Sequence, residues 1–166
     1  MPSEGSHPGA GSGRPEAVRR GDITGEALAR GLWRSGLVAG LPVDLGDLAS
    51  RLGVRVLLCQ GLGVRGALVT GRRSIVLVDR SLSVFQRRFT AAHELGHLMI
   101  HRTGAGRPWE ETQADRFASE LLVPSWAISP QWLEGLDPHE AAMWVSRRFL
   151  VSRSCALRRL RRLGLA

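Results

Sequence analysis

Residues 93–97 read His-Glu-Leu-Gly-His. Four residues along an α-helix advance about 400°, so His93 and His97 share one face, about 6 Å apart. Two neutral imidazoles so placed can bind one Zn²⁺ at about 2.0–2.1 Å. Glu94 stands beside the first of them and can reach a water on the metal without binding the metal itself. Zinc lowers the pKa of such a water from about 15.7 to about 7, and a carboxylate base can then take its proton at neutral pH. The bland alternative is a helix carrying two incidental histidines. The amphipathic pattern around the motif argues against it.

A catalytic zinc takes three protein ligands and leaves one position open. Glu111 opens the stretch Glu111-Thr112-Gln113-Ala114-Asp115, in the first turn of the next predicted helix. A hairpin of two helices brings that turn back to the first helix, so Glu111 is the expected third ligand. Glu110, about 100° round the helix, is its rival. Both acids also suit the positive end of a helix dipole, which requires no metal. Asp115 lies one turn further on the face of Glu111, where it can accept the outer N–H of a ligating histidine and fix its tautomer. His101 lies two turns from His93, about 12 Å along the axis, too far to share one ion. It is expected to support the site or the helix end. The chain has no Tyr to stabilise an oxyanion. His139, Arg102 and Arg107 are the candidates left for that task.

The elements that must position these residues follow from periodicity and capping. Apolar residues at Ile23, Leu28, Leu32 and Leu37 predict a helix from Asp22, stopped by Gly40-Leu41-Pro42. Asp44 can cap a short helix carrying Leu45, Leu48 and Leu52. Val54, Val56 and Leu58 alternate as in a strand. Gly66 to Thr70 and Ser74 to Asp79 predict two more, joined by the turn Gly71-Arg72-Arg73. Ser83 and Gln86 form a capping box for the helix that carries the histidines. Thr103 to Pro108 reads as a loop, and Trp109 to Leu122 as a second long helix closed by Pro124. Asp137-Pro138-His139-Glu140 starts a helix that runs to Phe149. Leu150-Val151-Ser152 breaks the period before a last helix, which Gly164 stops.

Composition sets the class. The 166 residues, 43% of them hydrophobic, suffice for one ordinary core. No apolar run is long enough for a membrane span, and no apolar stretch near the N-terminus suggests a signal peptide. Cys59 and Cys155 are too few for a disulfide scaffold, which fits a reducing, cytoplasmic setting. All 23 basic residues are Arg, against 15 acids, and the net charge is +8. Seven of these Arg lie between Arg147 and Arg162. Residues 1–21 hold five Gly, three Pro and three Ser and read as a disordered tail.

Two blocks, Arg88-Phe89-Thr90-Ala91-Ala92-His93-Glu94-Leu95-Gly96-His97 and Glu111 through Ala114-Asp115, Phe117-Ala118 and Leu121-Leu122-Val123-Pro124, resemble the ImmA/IrrE family of zinc metallopeptidases. Leu41-Pro42-Val43-Asp44, Leu52-Gly53-Val54 and the segment from Phe149 to Leu165 are also similar, so the resemblance covers roughly residues 22 to 166. It implies a cytoplasmic peptidase that cleaves a helix-turn-helix transcriptional repressor. It also implies zinc ligation by His93, His97 and Glu111, with Glu94 as the base. Leu150 departs from the family pattern, standing where a turn glycine is usual.

The expected fold is therefore α+β. A tail over 1–21 precedes a zincin-like core of helices with a small three-stranded sheet over 22–136, followed by a small helical, helix-turn-helix-like subdomain over 137–166. That last segment has two readings. Arg153, Arg158, Arg159, Arg161 and Arg162 could meet DNA phosphates. Alternatively the helices pack on the core and help hold substrate, with the arginines solvated. The second is preferred, because no base-reading side chain stands out. The rival to the enzyme is a DNA-binding regulator whose metal site is structural or lost.

Overall fold

The computed structural model describes residues 24–100 and 108–166. The expected tail, most of the loop after Thr103, and His101, Arg102 and Arg107 lie outside the described residues. The fold is mixed α+β, with six helices and one three-stranded sheet among those residues.

Capping side chains place the helix starts. Thr24 accepts from the Ala27 amide and opens α1, Gly25–Arg34, which ends well before Gly40. Leu37, expected in that helix, instead packs on the core from the turn that follows. Asp44 accepts from Gly46 and Asp47 and opens α2, Leu45–Arg51. The Ser83–Gln86 box closes in both directions, at 3.0 and 3.3 Å, and starts α3, Val84–Ile100. Helix α4 runs Pro108–Leu122. Asp137 and Glu140 form a second capping box for α5, Pro138–Phe149. Ser152 caps α6, Arg153–Arg162.

The strands are β1 (Arg55–Cys59), β2 (Gly66–Val69) and β3 (Ile75–Asp79). Their order is β1-β3-β2: β3 pairs parallel with β1 (Arg55 with Ile75) and antiparallel with β2 (Gly66 with Val78). As the central strand, β3 buries Val76 and Val78 fully, two residues apart on one face. β2 is left at an edge, alongside α3.

Helix α3 packs between the sheet and α4, and α1 covers α4. Gly96 sets the α3–α4 distance. A Cβ there would lie 3.0 Å from Phe117 Cδ1 and 3.1 Å from Ala114 Cα, so only a residue without a side chain lets the two helices approach this closely. The buried apolar side chains form one cluster from Ala29 to Leu160, so α5 and α6 share it with the earlier helices.

The α5–α6 turn forms without glycine. Leu150 itself takes the left-handed conformation, φ 53°, at a cost of about 1–2 kcal/mol. The turn is secured elsewhere: Ser146 Oγ donates to the Val151 carbonyl at 2.6 Å, and Arg88 Nε of α3 donates to the Leu150 carbonyl at 3.1 Å.

One expectation about this segment fails. Arg159 is 2% exposed, neither solvated nor open to phosphate. Its guanidinium pairs with Glu120 of α4, donates to the Val123 carbonyl at 3.0 Å and reaches Glu26 of α1 at 3.4 Å. A buried guanidinium is tolerated only when paired, so the chain turns this one inward to its carboxylate.

Candidate metal centre

One face of α3 presents His93 and His97, and the first two turns of α4 present Glu111 and Asp115. The imidazoles are mostly buried, whereas the two carboxylates are half exposed. His93 Nε2 lies 2.9 Å from His97 Nε2 and 3.2 Å from Glu111 Oε2, and His97 Nε2 lies 3.3 Å from Glu111 Oε1. One ligand atom from each of the three residues falls within 4.8 Å of the others. Glu110 is buried and lies outside that trio.

Asp115 gives this cluster its polarity. Its Oδ1 sits 2.9 Å from His93 Nδ1. The hydrogen bond from His93 holds the Asp115 carboxyl below its ordinary range, so Asp115 can only accept and Nδ1 must carry the proton. His93 Nε2 then turns a lone pair toward Glu111, itself an acceptor. Atoms facing one another at these distances need a proton or a metal ion between them, and His97 Nε2 supplies that proton in one tautomer and a lone pair in the other. Burial disfavours the charged imidazolium of His93, but the Asp115 hydrogen bond and the charges of Asp115, Glu94 and Glu111 outweigh it and raise its pKa. Two imidazole nitrogens and one carboxylate oxygen form a donor set suited to a divalent metal with a coordination position left open.

Glu94 lies next along α3, and burial raises its carboxyl above the usual range, making it a stronger base. The start of β2 runs over it. A Cβ on Gly66 would sit 2.4 Å from Thr90 Cγ2 and 3.0 Å from Glu94 Oε1, so glycine lets the edge strand approach the carboxylate. The groove above the centre holds about 410 Å³ and is lined by His93, Glu94, Glu111 and Asp115 on the helix side and by Val64 and Arg65 on the loop side. His139 lines a different groove, between α5 and α6, with none of these residues.

Sequence reasoning missed the groove's other wall. Val64, Arg65 and Gly66 have no local signature, because the sheet order alone carries them over α3. It also missed Glu120, whose signal was available: an acid among Phe117, Leu121 and Leu122 on an otherwise apolar stretch.

No helix among the described residues is long and apolar enough to cross a membrane. The profile of the IrrE N-terminal-like domain, peptidase family M78, matches residues 49–161. The uncharacterised immunity region protein 2 of Bacillus phage phi105 is 32% identical over 68 residues, which cover 35% of this chain and 43% of the phage protein. A Mycobacterium tuberculosis transcriptional regulator shares the fold, with a TM-score of 0.60 at 20% identity, over 82% of this chain and 46% of the regulator. The chain thus spans less than half the length of each of these two proteins. The profile match takes in the sheet, the histidine helix, the acidic helix and most of the C-terminal pair, and the chain belongs to the M78 peptidase family with its IrrE N-terminal-like domain.

Proposed function

We propose that this protein is a zinc-dependent metalloendopeptidase of the cytoplasm that cleaves a helix-turn-helix transcriptional repressor and so releases its genes. The observation that carries the reading is the convergence of one possible ligand atom each from His93, His97 and Glu111, with Glu94, whose carboxyl burial pushes up, beside them in an open groove. In this reading His93, His97 and Glu111 hold Zn²⁺, and Asp115 orients His93. When bound, the metal supplies Lewis acidity toward a carbonyl oxygen and toward water. Glu94 takes the proton from the water that attacks the peptide carbonyl and passes it to the departing amine nitrogen, so the carboxylate ends as it began. Family membership supports peptide-bond hydrolysis. The regulator, by its name, accords with a role in gene control, and the phage relative is named for an immunity region.

A DNA-binding regulator with a structural metal fits less well. Structural zinc takes four protein ligands, and three converge here among the described residues. Of the arginines that could meet phosphates, Arg159 is turned into the core. The test is to incubate zinc-loaded protein with helix-turn-helix repressors encoded near it and to read fragments by mass spectrometry. A single cut that is lost in Glu94→Gln, with zinc retained, is the expected result. No cut in any such repressor, or equal cutting by Glu94→Gln, would overturn the reading.

A further inference from the structure

The groove above the metal centre continues past the histidines. Arg65, Phe89 and Thr90 line it, and they also line a second cavity of about 350 Å³ that reaches the start of α6. The wall of that cavity carries two guanidinium groups, Arg65 and Arg158, with the hydroxyls of Ser83, Ser152 and Ser154, and no described carboxylate. Both arginines are exposed, and neither takes part in an ion pair with a described residue. They contrast with Arg88 and Arg159, whose N–H groups are committed to carbonyl and carboxylate oxygens. The Arg158 guanidinium carbon lies 6.0 Å from the centroid of the Phe89 ring, within reach of a cation–π contact.

The cavity is within reach of a peptide laid over the metal centre. The Phe89 ring is 6.4 Å from the His93 ring on one side and 6.0 Å from the Arg158 guanidinium on the other. An extended chain advances about 3.3–3.6 Å per residue, so those two steps span no more than about four residues. A carboxylate there would accept charge-assisted, fork-shaped hydrogen bonds of the kind that arginine forms best. A row of nucleic-acid phosphates suits the site less well, because Arg159, next to Arg158 in sequence, faces the core.

We propose that this cavity is a substrate subsite in which Arg65 and Arg158 select an acidic side chain, Asp or Glu, within about four residues of the cleaved bond. The proposal rests on the peptidase reading, and its test separates the two. Zinc-loaded protein is given a peptide library digested from a whole proteome, and the residues flanking each cut are counted. In parallel, dye-labelled alanine-based peptides carrying one Glu, or one Gln in its place, are titrated against the Glu94→Gln protein by fluorescence anisotropy, which requires no turnover. The expected results are enrichment of Asp or Glu at one position near the cut and about tenfold tighter binding of the Glu peptide, the scale of a partly screened charge-assisted contact. Arg65→Gln with Arg158→Gln should bring the Glu-to-Gln ratio to about one, and Arg65→Glu with Arg158→Glu should favour Lys or Arg at that position. Cleavage without acidic preference, or a preference that survives both double variants, overturns the subsite and keeps the peptidase. Arginine-dependent Glu binding with no cleavage of any peptide overturns the peptidase and keeps the acid-selective site. Duplex DNA that competes out the Glu peptide with higher affinity, through the same two arginines, overturns the subsite in favour of phosphate contact.

Discussion

Helix α4 carries an acidic cluster at each end, and the two are built on opposite rules. In its last turn Glu120, 1% exposed, accepts from the Arg159 guanidinium and from the amide and hydroxyl of Ser125. Arg159 spends its remaining donors on Val123 and Glu26, so every group has a partner of opposite kind. In its first turn Glu111 meets His93 and His97, and there His93 Nε2 and the Glu111 carboxylate face each other as acceptors once Asp115 has claimed the His93 Nδ1 proton. The first cluster is complete within the chain and ties α6 and α1 to α4. The second leaves His93 Nε2 and the Glu111 carboxylate facing one another as acceptors, open to a cation. Burial alone would have pointed to the wrong cluster, because Glu120 is the more buried acid. Counting donors and acceptors separates structural support from a site.

Substitutions in and around the two clusters test that contrast. The largest effect is expected from His93→Ala or His97→Ala, which should reduce zinc from about one ion per chain to almost none, because two remaining ligands cannot hold a catalytic zinc. Glu94→Gln should keep its zinc in the same elemental analysis. Zinc loss there would make Glu94 a ligand rather than a base.

Arg159→Ala comes next. Leaving Glu120 buried and unpaired should cost about 3–5 kcal/mol in urea unfolding of the metal-free protein. Arg159→Met combined with Glu120→Leu should recover most of that loss. A single variant that costs under about 1 kcal/mol would mean the cluster is not closed as described.

Asp115→Ala should weaken zinc binding by about 10–100-fold in chelator competition, because the histidine it orients is left loose. Glu111→Ala should weaken it further, whereas Glu110→Ala should affect folding stability more than zinc. The reverse order for the two glutamates would move the third ligand to Glu110.

Smallest is Leu150→Gly. It relieves a left-handed leucine but gives the unfolded chain more freedom, so the net gain should be at most about 1 kcal/mol, or a melting rise of about 2–4 °C. A fall in melting temperature would show that Leu150 packing outweighs its backbone strain.

Much of this molecule was legible in the chain because the relevant forces act within a few residues. Asp44, Ser83 and Asp137 each cap the helix they precede, since a side-chain oxygen two or three residues from an orphan amide needs no distant partner. The i, i+4 spacing placed His93 and His97 together for the same reason. The periodicity predicts a first helix longer than the one that forms, because Leu37 has the right period yet is half-buried from a turn. Periodicity records burial without saying which backbone achieves it. Leu150 stands where a turn glycine is usual, yet Ser146 and Arg88 supply hydrogen bonds that hold the turn in spite of the strain. Only the packed structure decided that β2 lies at the edge above Glu94, that Glu111 rather than Glu110 meets the histidines, and that Arg159 faces inward while Arg158 faces a cavity. Each of these depends on how close two elements approach and at what rotation, as Gly96 does for α3 and α4. Such contacts join residues far apart in sequence, so no local pattern of caps or periods can encode them.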